Sequence, residues 1–322
     1  MAAPKNPFAA LNTHLAKLVA GAESWLVRVE SGRRRTTGVV YAVKDGEALI
    51  VTAAHILAGD DTVQVATGEG PGRPARLSGW DPRTDLALLR ADAGDWTPAP
   101  FASSDGVEAG HMVLTLGRPG RRVRATLGLV SAVGGPWQTG HGADIARLLD
   151  IDGRLPEGFS GGVLLDADGQ VLGVNTHALI RGGTTLPTET VRRVIDLLAA
   201  RGHMPRGHLG LGSQPARLPA DLAAGEGQAT GLVVVNVEPD GPAARSGVML
   251  GDVLLALGAR RVTDHGALVA ARDALAGQRT SGRILRAGAV VTVDLEVAER
   301  EGPGPEIPGG RCGGGWGRGR CG

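Results

Sequence analysis

Three short stretches of the sequence carry the side chains that an activated serine nucleophile requires. Thr52-Ala53-Ala54-His55 ends an apolar run, and other backbone can approach an imidazole closely when it follows small residues. Asp85 opens another apolar run, and a carboxylate at the mouth of a core strand needs a partner such as an imidazole N–H. Ser160 stands among glycines, where a tight turn can expose its hydroxyl. Taken singly, these patterns are equally typical of a loop histidine, a turn aspartate and a glycine-rich turn.

The sequence offers two carboxylates as partners for the histidine. Asp81 lies four residues before Asp85, but it directly precedes Pro82, which is typical of a turn. Asp85 is the stronger candidate because it leads straight into an apolar strand.

The segment around Ser160 could also form an oxyanion hole. The backbone N–H groups of Gly158 and Ser160, on either side of Phe159, can converge on one point. Glycine at 158 permits the positive φ that such a turn can need. The chain order His55, Asp85, Ser160 is one of three known orders for a Ser-His-Asp triad.

A scaffold of many short strands is predicted to position these residues. From Trp25 apolar and polar residues alternate, and Asp45-Gly46 separates two apolar runs, which is the strongest short-range signal of a hairpin. A second hairpin turn is predicted at Ala167-Asp168-Gly169. Further strands are predicted at 62–66, 85–91, 111–117 and 123–133. Strands of this number and length indicate antiparallel barrels or a sandwich.

Length and composition bound the architecture and exclude some function classes. The 322 residues, 42% hydrophobic and 21% charged, allow two globular domains. A net charge of +1 argues against a dedicated nucleic-acid binder. Cys312 and Cys321 lie too close to the end to form a disulfide framework, and two cysteines alone give too few ligands for zinc. We expect no metal and no organic cofactor.

The chain divides into four segments by pattern. Residues 1–22 contain an amphipathic helix at 7–22, predicted to cap the domain or to serve as an oligomer contact. A catalytic domain is predicted at 23–202, with a helix at 189–202 that ends at Gly202. A second, β-rich domain is predicted at 206–299, with a helix near 266–276, and a disordered glycine-rich tail at 300–322.

The motifs TAAH, DLALL and SGG followed by VLLDADGQVLGVNT resemble the trypsin-like serine proteases, and in particular their HtrA/Deg branch. The resemblance covers roughly residues 23–200. It implies two antiparallel β-barrels with the triad His55, Asp85 and Ser160 between them. The branch commonly has Asn before the serine, where this chain has Phe159, which leaves the neighbouring subsite open.

The same resemblance implies a small apolar S1 pocket. Arg154 stands six residues before Ser160, where trypsin-like enzymes that cut after Arg or Lys carry an acid. Cleavage after small aliphatic residues is therefore expected. The substrate-binding residues implied by the resemblance are Leu155, Asn175, Thr176, His177 and Leu179. The remaining histidines show no metal-ligand spacing.

The second domain resembles a PDZ domain. HLGL followed by VVVNVEPDGPAARSGVMLGDVLLALG carries the resemblance, which covers about residues 206–299. It implies that a peptide adds to a strand edge and that backbone N–H groups hold its C-terminal carboxylate. The implied carboxylate loop is His208, Leu209, Gly210 and Leu211; the simpler interpretation is that both leucines are core strand residues.

These features predict an ATP-independent serine endopeptidase that acts on unfolded or damaged proteins. Two alternatives remain open: a catalytically silent, chaperone-like peptide-binding protein, and a protease that stays inactive until a ligand or oligomer reshapes the oxyanion turn. Expected partners are polypeptide substrates, peptide C-termini and copies of the same chain, a trimer being one option. No apolar stretch of about 20 residues suggests a transmembrane helix, and no signal peptide is evident, so the expected location is cytoplasmic, or extracytoplasmic if the N-terminus is incomplete.

Overall fold

The computed structural model describes residues 6–57, 63–68, 70–140 and 142–300. These residues form two compact units, the first built from 6–135 and 147–202 and the second from 136–146 and 203–300. The predicted tail, including Cys312 and Cys321, lies outside the described residues from 301 onwards.

The first unit begins with helix α1 (Pro7–Gly21), where the 7–22 pattern predicts one. The side chain of Asn6 caps it by accepting the N–H of Phe8. His14 donates from Nε2 to the carbonyl oxygen of Ala167, 2.6 Å away, so one face of α1 lies against a turn of its own unit. Phe8 lies on the outside of the helix and is 78% exposed.

A closed six-stranded antiparallel barrel follows α1. Its strands are β1 (Leu26–Ser31), β2 (Arg34–Lys44), β3 (Glu47–Ala53), β4 (Val63–Ala66), β5 (Arg73–Asp81) and β6 (Leu86–Asp92). They pair in the order β1-β2-β3-β6-β5-β4, and a β1–β4 ladder closes the ring. Fully buried aliphatic side chains fill it, among them Val27, Ile50 and Leu88.

The second sheet of the first unit carries the glycine-rich stretch. Successive elements after the barrel are β7 (Met112–Gly117), β8 (Arg124–Gly134), β9 (Trp137–Gln138), β10 (Asp144–Ile145), β11 (Leu148–Ile151), β12 (Val163–Leu165), β13 (Val171–Thr176), β14 (Thr184–Pro187) and helix α2 (Thr188–Arg201). Six of these strands pair in the order β11-β8-β7-β12-β13-β14. Gly202 ends α2 in a left-handed conformation, as the sequence predicts.

The short hairpin β9–β10 belongs to the second unit, although its residues fall inside the predicted 23–202 segment. Asp144 of β10 pairs with Arg260 at 2.9 Å, both residues lying in that unit. The chain therefore leaves the first unit after β8 and returns to it before β11.

The second unit is built around a seven-stranded sheet. Its further elements are β15 (Arg206–His208), β16 (Leu211–Arg217), α3 (Ala220–Glu226), β17 (Thr230–Val237), α4 (Pro242–Arg245), β18 (Val253–Leu257), β19 (Arg260–Arg261), α5 (His265–Ala274), β20 (Gln278–Arg286) and β21 (Ala289–Arg300). The strand order is β15-β21-β20-β18-β17-β16, with β19 on β18. Leu232, Leu254, Ile284 and Leu295 are fully buried in its core.

The expected all-β-dominated fold class is confirmed, with one difference in the first unit. Only the sheet β1–β6 is closed by a ladder, whereas β11 and β14 form the two edges of the second sheet in the described part of the chain. Within the same described residues, no helix has both the length and the apolar character needed to cross a bilayer.

Candidate active site

His55 and Asp85 meet because their strands are neighbours. His55 lies in the single 3₁₀ turn Ala54–Ile56 after β3, and Asp85 lies directly before β6. Ala53 and Leu86 are paired across the β3–β6 ladder, so the two ends lie side by side. The Nδ1 of His55 is 2.7 Å from Oδ2 of Asp85, and the backbone N–H of His55 donates to Oδ1 at 2.8 Å.

The Asp85 carboxylate is buried and receives a third donor from the second sheet. The hydroxyl of Thr176, at the end of β13, donates to Oδ2. One backbone N–H, one threonine hydroxyl and one imidazole N–H therefore hold this carboxylate in place. Asp81 has a different role, because it accepts from the Arg83 N–H and the Thr84 hydroxyl inside its own turn.

The residues before Ser160 form a turn with the features of type II. The N–H of Phe159 donates to the carbonyl of Pro156 at 3.2 Å, and Gly158 has φ of 79°. Type II turns require positive φ at the third residue, which explains glycine at this position. In the described part of the chain, the N–H groups of Gly158 and Ser160 have no hydrogen-bond acceptor. Two donors are thus free beside the serine hydroxyl.

Two threonines of β2 hold this turn from the barrel side. Thr36 donates its hydroxyl to the carbonyl of Ser160, and Thr37 donates its own to the carbonyl of Gly158 at 2.8 Å. The Thr37 hydroxyl also accepts the N–H of Arg118 at 2.7 Å. These contacts could not be predicted from the sequence, because the partners lie between 81 and 124 residues apart.

Phe159 is a buried packing residue. Its ring, 2% exposed, lies against Gly117 at the end of β7, where an added Cβ would come within 2.7 Å of ring carbons. The ring thus occupies space that the absent side chain of Gly117 leaves open. Phe159, which stands in place of the common Asn, is therefore accommodated by the space at Gly117.

Arg118 links the same region to the start of the barrel. Its guanidinium, 1% exposed, contacts the carboxylate of Glu23 and donates to the carbonyl of Leu26 at 2.7 Å. Burial lowers the pKa of this guanidinium from its usual value, and the Glu23 carboxylate opposes that shift. Arg118 could not be predicted as a functional residue, because nothing in the neighbouring sequence indicates a fully buried cation.

Ser160 is bonded to His177, and among the described contacts it has none with His55. Ser160 Oγ lies 3.0 Å from Nδ1 of His177 and 3.3 Å from its backbone nitrogen. The other ring nitrogen of His177 is 2.8 Å from the carbonyl oxygen of Leu155. The sequence placed His177 among the substrate-binding residues, but gave no reason to expect a bond to the nucleophile.

A cavity of about 210 Å³ lies beside the nucleophile turn and includes Leu155. Apolar side chains of β8, β11 and the segment before β14 line part of it, together with Arg154 and Arg181. Asn175 and Thr176 are buried away from it, Asn175 accepting from Thr185 and Thr176 donating to Asp85. Leu179 does not line this cavity.

The predicted carboxylate loop of the second unit connects two strands. His208 ends β15 and Leu211 begins β16, while Leu209 is buried in the core and its carbonyl accepts the N–H of Ala243. Gly210 lies next to the carboxylate of Glu238, which His208 contacts at 2.7 Å. β16 is an edge strand whose ladder partner is β17.

Models of two known domain families match successive parts of the chain. A family model described as a trypsin-like peptidase domain matches residues 36–174, and a PDZ domain model matches residues 207–297. A solved HtrA-type protease, AlgW with a tripeptide, has 31% identity and a TM-score of 0.71, with 89% of this chain and 98% of that chain covered. The chain belongs to the HtrA-type protease family.

Further members of the family agree with this assignment. The serine endoprotease from Yersinia pestis has 25% identity and a TM-score of 0.69, over 93% of this chain and all of that one. A probable periplasmic serine endoprotease, DegP-like, from Brucella suis biovar 1 (strain 1330) is 32% identical over 227 residues, or 68% of this chain. A namesake from Halomonas elongata is 30% identical over 74% of this chain. The HtrA-type chain described here spans about half the length of these curated relatives, 44% and 51%.

The expectation of a cytoplasmic location is wrong. The HtrA-type relatives from Brucella suis and Halomonas elongata are both named periplasmic, which contradicts it.

Proposed function

We propose that this chain is a serine endopeptidase in which His55, Asp85 and Ser160 form the catalytic triad. The observation that carries the proposal is the 2.7 Å contact between His55 and the buried Asp85, together with two free N–H groups beside Ser160. Membership of a family of serine proteases supports it. The relatives are named as serine endoproteases, which does not favour the catalytically silent alternative.

Each residue has one role in the proposed reaction. His55 takes the proton of Ser160 as Oγ attacks the scissile carbonyl, and later gives that proton to the leaving amine. Asp85 accepts from Nδ1–H, fixes the ring and stabilises the imidazolium. The N–H groups of Gly158 and Ser160 stabilise the oxyanion, a contribution of about 3–4 kcal/mol per donor in related sites. Water then attacks the acyl-enzyme carbonyl while His55 takes its proton, and His55 returns that proton to Ser160 Oγ as the ester bond breaks.

Covalent labelling by a fluorophosphonate tests this proposal. We expect labelling of the wild-type chain and none of Ser160→Ala, with His55→Ala strongly slowed. A Ser103→Ala variant, which changes an exposed serine, is the matched control and should be labelled like the wild type. If the wild-type chain is not labelled under any condition, the peptide-binding alternative replaces the endopeptidase.

The proposed substrates are unfolded or damaged proteins, degraded without ATP. An unfolded chain is needed because the substrate backbone must reach Ser160, whose side chain is almost completely buried. A reduced and alkylated protein should be degraded in the absence of ATP, while its native form is resistant. Equal cleavage of both forms would contradict this substrate class.

The proposed specificity is for small aliphatic residues at P1. Leu155 lines the cavity, and Arg154 and Arg181 lie where a P1 Arg or Lys would meet like charge, although Asp150 and Asp152 are also in the lining. A panel of peptides that differ only at P1 should give the highest kcat/KM with Val or Ala. A preference for Arg would contradict the assignment.

The second unit is proposed to bind peptide C-termini. The free edge of β16 suits β-strand addition, and His265, the first residue of α5, donates from Nε2 to the Ser213 carbonyl of β16 at 2.9 Å. The loop from His208 to Leu211 would then hold the carboxylate. A peptide with a free C-terminus should bind more tightly than the same peptide amidated, and equal affinities would reject carboxylate capture.

Self-association is proposed through the N-terminal helix. The first turns of α1 expose Phe8 and Leu11, while His14, further along the helix, contacts its own unit. A homo-oligomer, with a trimer as one option, would cover these apolar side chains.

A further inference from the structure

The hydroxyl of Ser160 is engaged by a histidine outside the triad. His177 follows Thr176 at the end of β13, and its ring lies between Ser160 Oγ and the carbonyl oxygen of Leu155, at 3.0 and 2.8 Å. Within the described residues, the only side-chain partner of Ser160 Oγ is this ring. The imidazole of His55 is instead bonded on its other side, to Asp85.

The chemistry of the two contacts fixes the direction of both hydrogen bonds in the neutral ring. A backbone carbonyl only accepts, so the ring nitrogen that faces Leu155 must carry the proton. A neutral imidazole with a proton on Nε2 has a bare Nδ1, which accepts. The Ser160 hydroxyl therefore donates to His177, and its oxygen accepts the backbone N–H of the same residue at 3.3 Å.

This arrangement competes with the first step of the proposed reaction. A serine hydroxyl has one proton, and it cannot be donated to His177 and to His55 Nε2 at the same time. General-base catalysis requires the proton to be directed at the base. While Ser160 donates to His177, the base has no proton to take.

We propose that His177 is a positioning residue that holds the Ser160 hydroxyl in a non-productive hydrogen bond until substrate displaces the ring. This inference rests on the proposed function, since it assumes that Ser160 is the nucleophile. His177 and Ser160 do not line the cavity themselves, but Leu155, whose carbonyl accepts from the His177 ring, does, so a P1 side chain that moves Leu155 on entering the cavity would loosen the ring. Release would then return the hydroxyl to His55.

Two variants of equal size separate the hydrogen bond from the bulk of the ring. Leucine and asparagine both branch at Cγ, but only asparagine can place an acceptor where Nδ1 lies. The measurement is the second-order rate of labelling by a small alkyl fluorophosphonate, which does not need the cavity. We expect His177→Leu to be labelled roughly 3- to 10-fold faster than wild type, the range that one ordinary hydrogen bond represents. His177→Asn should stay within about twofold of wild type if it restores one such bond.

A spectroscopic measurement supplements the rates without depending on activity. Imidazole ¹⁵N spectra of the full chain should show His177 protonated on Nε2, with Nδ1 as an acceptor. In Ser160→Ala the ¹⁵N chemical shift of His177 Nδ1 should move towards that of an unprotonated nitrogen that accepts no hydrogen bond. The chemical shifts of His55 should change less. A His177 ring with the proton on Nδ1 would contradict the assigned direction.

The remaining outcomes distinguish failure of the holding role of His177 from failure of the proposed endopeptidase activity. Equal labelling of wild type, His177→Leu and His177→Asn would overturn the holding role and leave the endopeptidase intact. Equal acceleration of both variants would show that bulk rather than the acceptor matters, and would also overturn it. Labelling of neither wild type nor His177→Leu would overturn the endopeptidase and this inference with it.

Discussion

The Asp85 carboxylate combines burial with three donors from two different sheets. His55 contributes two of them through its ring and backbone, and Thr176 contributes its hydroxyl. A buried carboxylate with this many donors has one orientation, so it also fixes the ring of His55. The rigidity of the proposed base thus depends on a residue that does not touch the substrate bond.

Removing the Thr176 hydroxyl should reduce activity while leaving the fold intact. Thr176→Val keeps the shape of the side chain but removes a hydrogen bond to a charged group, which contributes about 1.5–3 kcal/mol. We expect kcat to fall roughly 10- to 150-fold with little change in KM, because the loss affects the base and not substrate binding.

The matched control for this prediction is Thr176→Ser, which keeps the donor. It should retain most of the wild-type kcat for a chromogenic peptide. A Thr176→Val enzyme within twofold of wild type would show that Asp85 is held adequately without this hydroxyl.

At the residue scale, the sequence predicted the types and order of the reactive groups but not all their partners. His55 and Asp85 were found together because each ends or begins an apolar run, which is a local signal. The bond from Ser160 to His177 was missed because it depends on rotamers, and spacing along the chain does not specify those. Asn175 and Thr176 were predicted to line the pocket, but both faces of β13 are buried, so Asn175 accepts from Thr185 and Thr176 donates to Asp85 instead.

At the element scale, β7 and the nucleophile turn are packed against each other through Gly117 and Phe159. An alanine Cβ at 117 would lie 2.7 Å from the Phe159 ring, which is closer than van der Waals contact allows. The two residues therefore constrain each other across the start of the oxyanion turn.

Gly117→Ala should destabilise the first unit by about 1–3 kcal/mol, the usual cost of overpacking a buried site. Thermal unfolding followed by circular dichroism measures the effect. Phe159→Leu in the same chain should recover part of the loss, and the double-mutant cycle should show coupling of roughly 0.5 kcal/mol or more. Strictly additive effects would contradict direct contact between the two residues.

The second unit contains an ion pair between the buried carboxylate of Asp252 and the partly exposed guanidinium of Arg286, which joins two of its segments. Burial opposes ionisation of Asp252, but bonds from Arg286 at 2.7 and 2.8 Å and from the Met249 N–H outweigh it and lower the pKa of Asp252. A lowered pKa stabilises the folded state above the unfolded pKa of about 4. That stabilisation is lost as the pH falls through about 4 and towards the lower folded value.

Asp252→Asn should reduce the stability of the second unit at pH 7 by roughly 1.5–3 kcal/mol and flatten its dependence on pH below about 4. Hydrogen exchange of the β17–β20 amides in the full chain measures this. Asp294→Asn, an exposed aspartate on β21, should leave both quantities unchanged. If the stability of Asp252→Asn falls as steeply with decreasing pH as that of the wild type, other groups cause the pH dependence.

Helices and strands with regular apolar periodicity could be predicted from the sequence, whereas the shortest elements could not. The strands at 62–66, 85–91, 111–117 and 123–133 and the helix ended by Gly202 were found within one or two residues. Helix α3 and the two-residue strands β9 and β10 were not, since so few residues show no period. The hairpin at 136–146 was assigned to the wrong side of the boundary by position alone, because sequence continuity does not reveal which unit a loop packs in.

At the scale of the whole molecule, the N-terminal helix is covered at only one end. His14 contacts the turn at Ala167, whereas Phe8 and Leu11, nearer the start of the helix, are uncovered. Exposed large apolar side chains on one helix are typical of an interaction site rather than of a free surface.

Deletion of residues 1–22 should lower the mass measured by light scattering if this helix mediates self-association. Phe8→Ser combined with Leu11→Ser should have the same effect while keeping the helix, and Thr13→Ser serves as a control on the same helix. An unchanged mass in both altered chains would place the contact elsewhere.

The threonines of β2 also constrain the order in which the active site can assemble. Thr36 and Thr37 hold carbonyls of the nucleophile turn 124 and 121 residues further along the chain. Contacts between such distant segments form late, because a long loop must close first. During refolding, the reaction of Ser160 with a fluorophosphonate should therefore recover only after the barrel strands have formed. Recovery of this reaction then indicates that folding is complete. An enzyme assembled in this way gains its nucleophile only when its own chain is no longer an unfolded substrate.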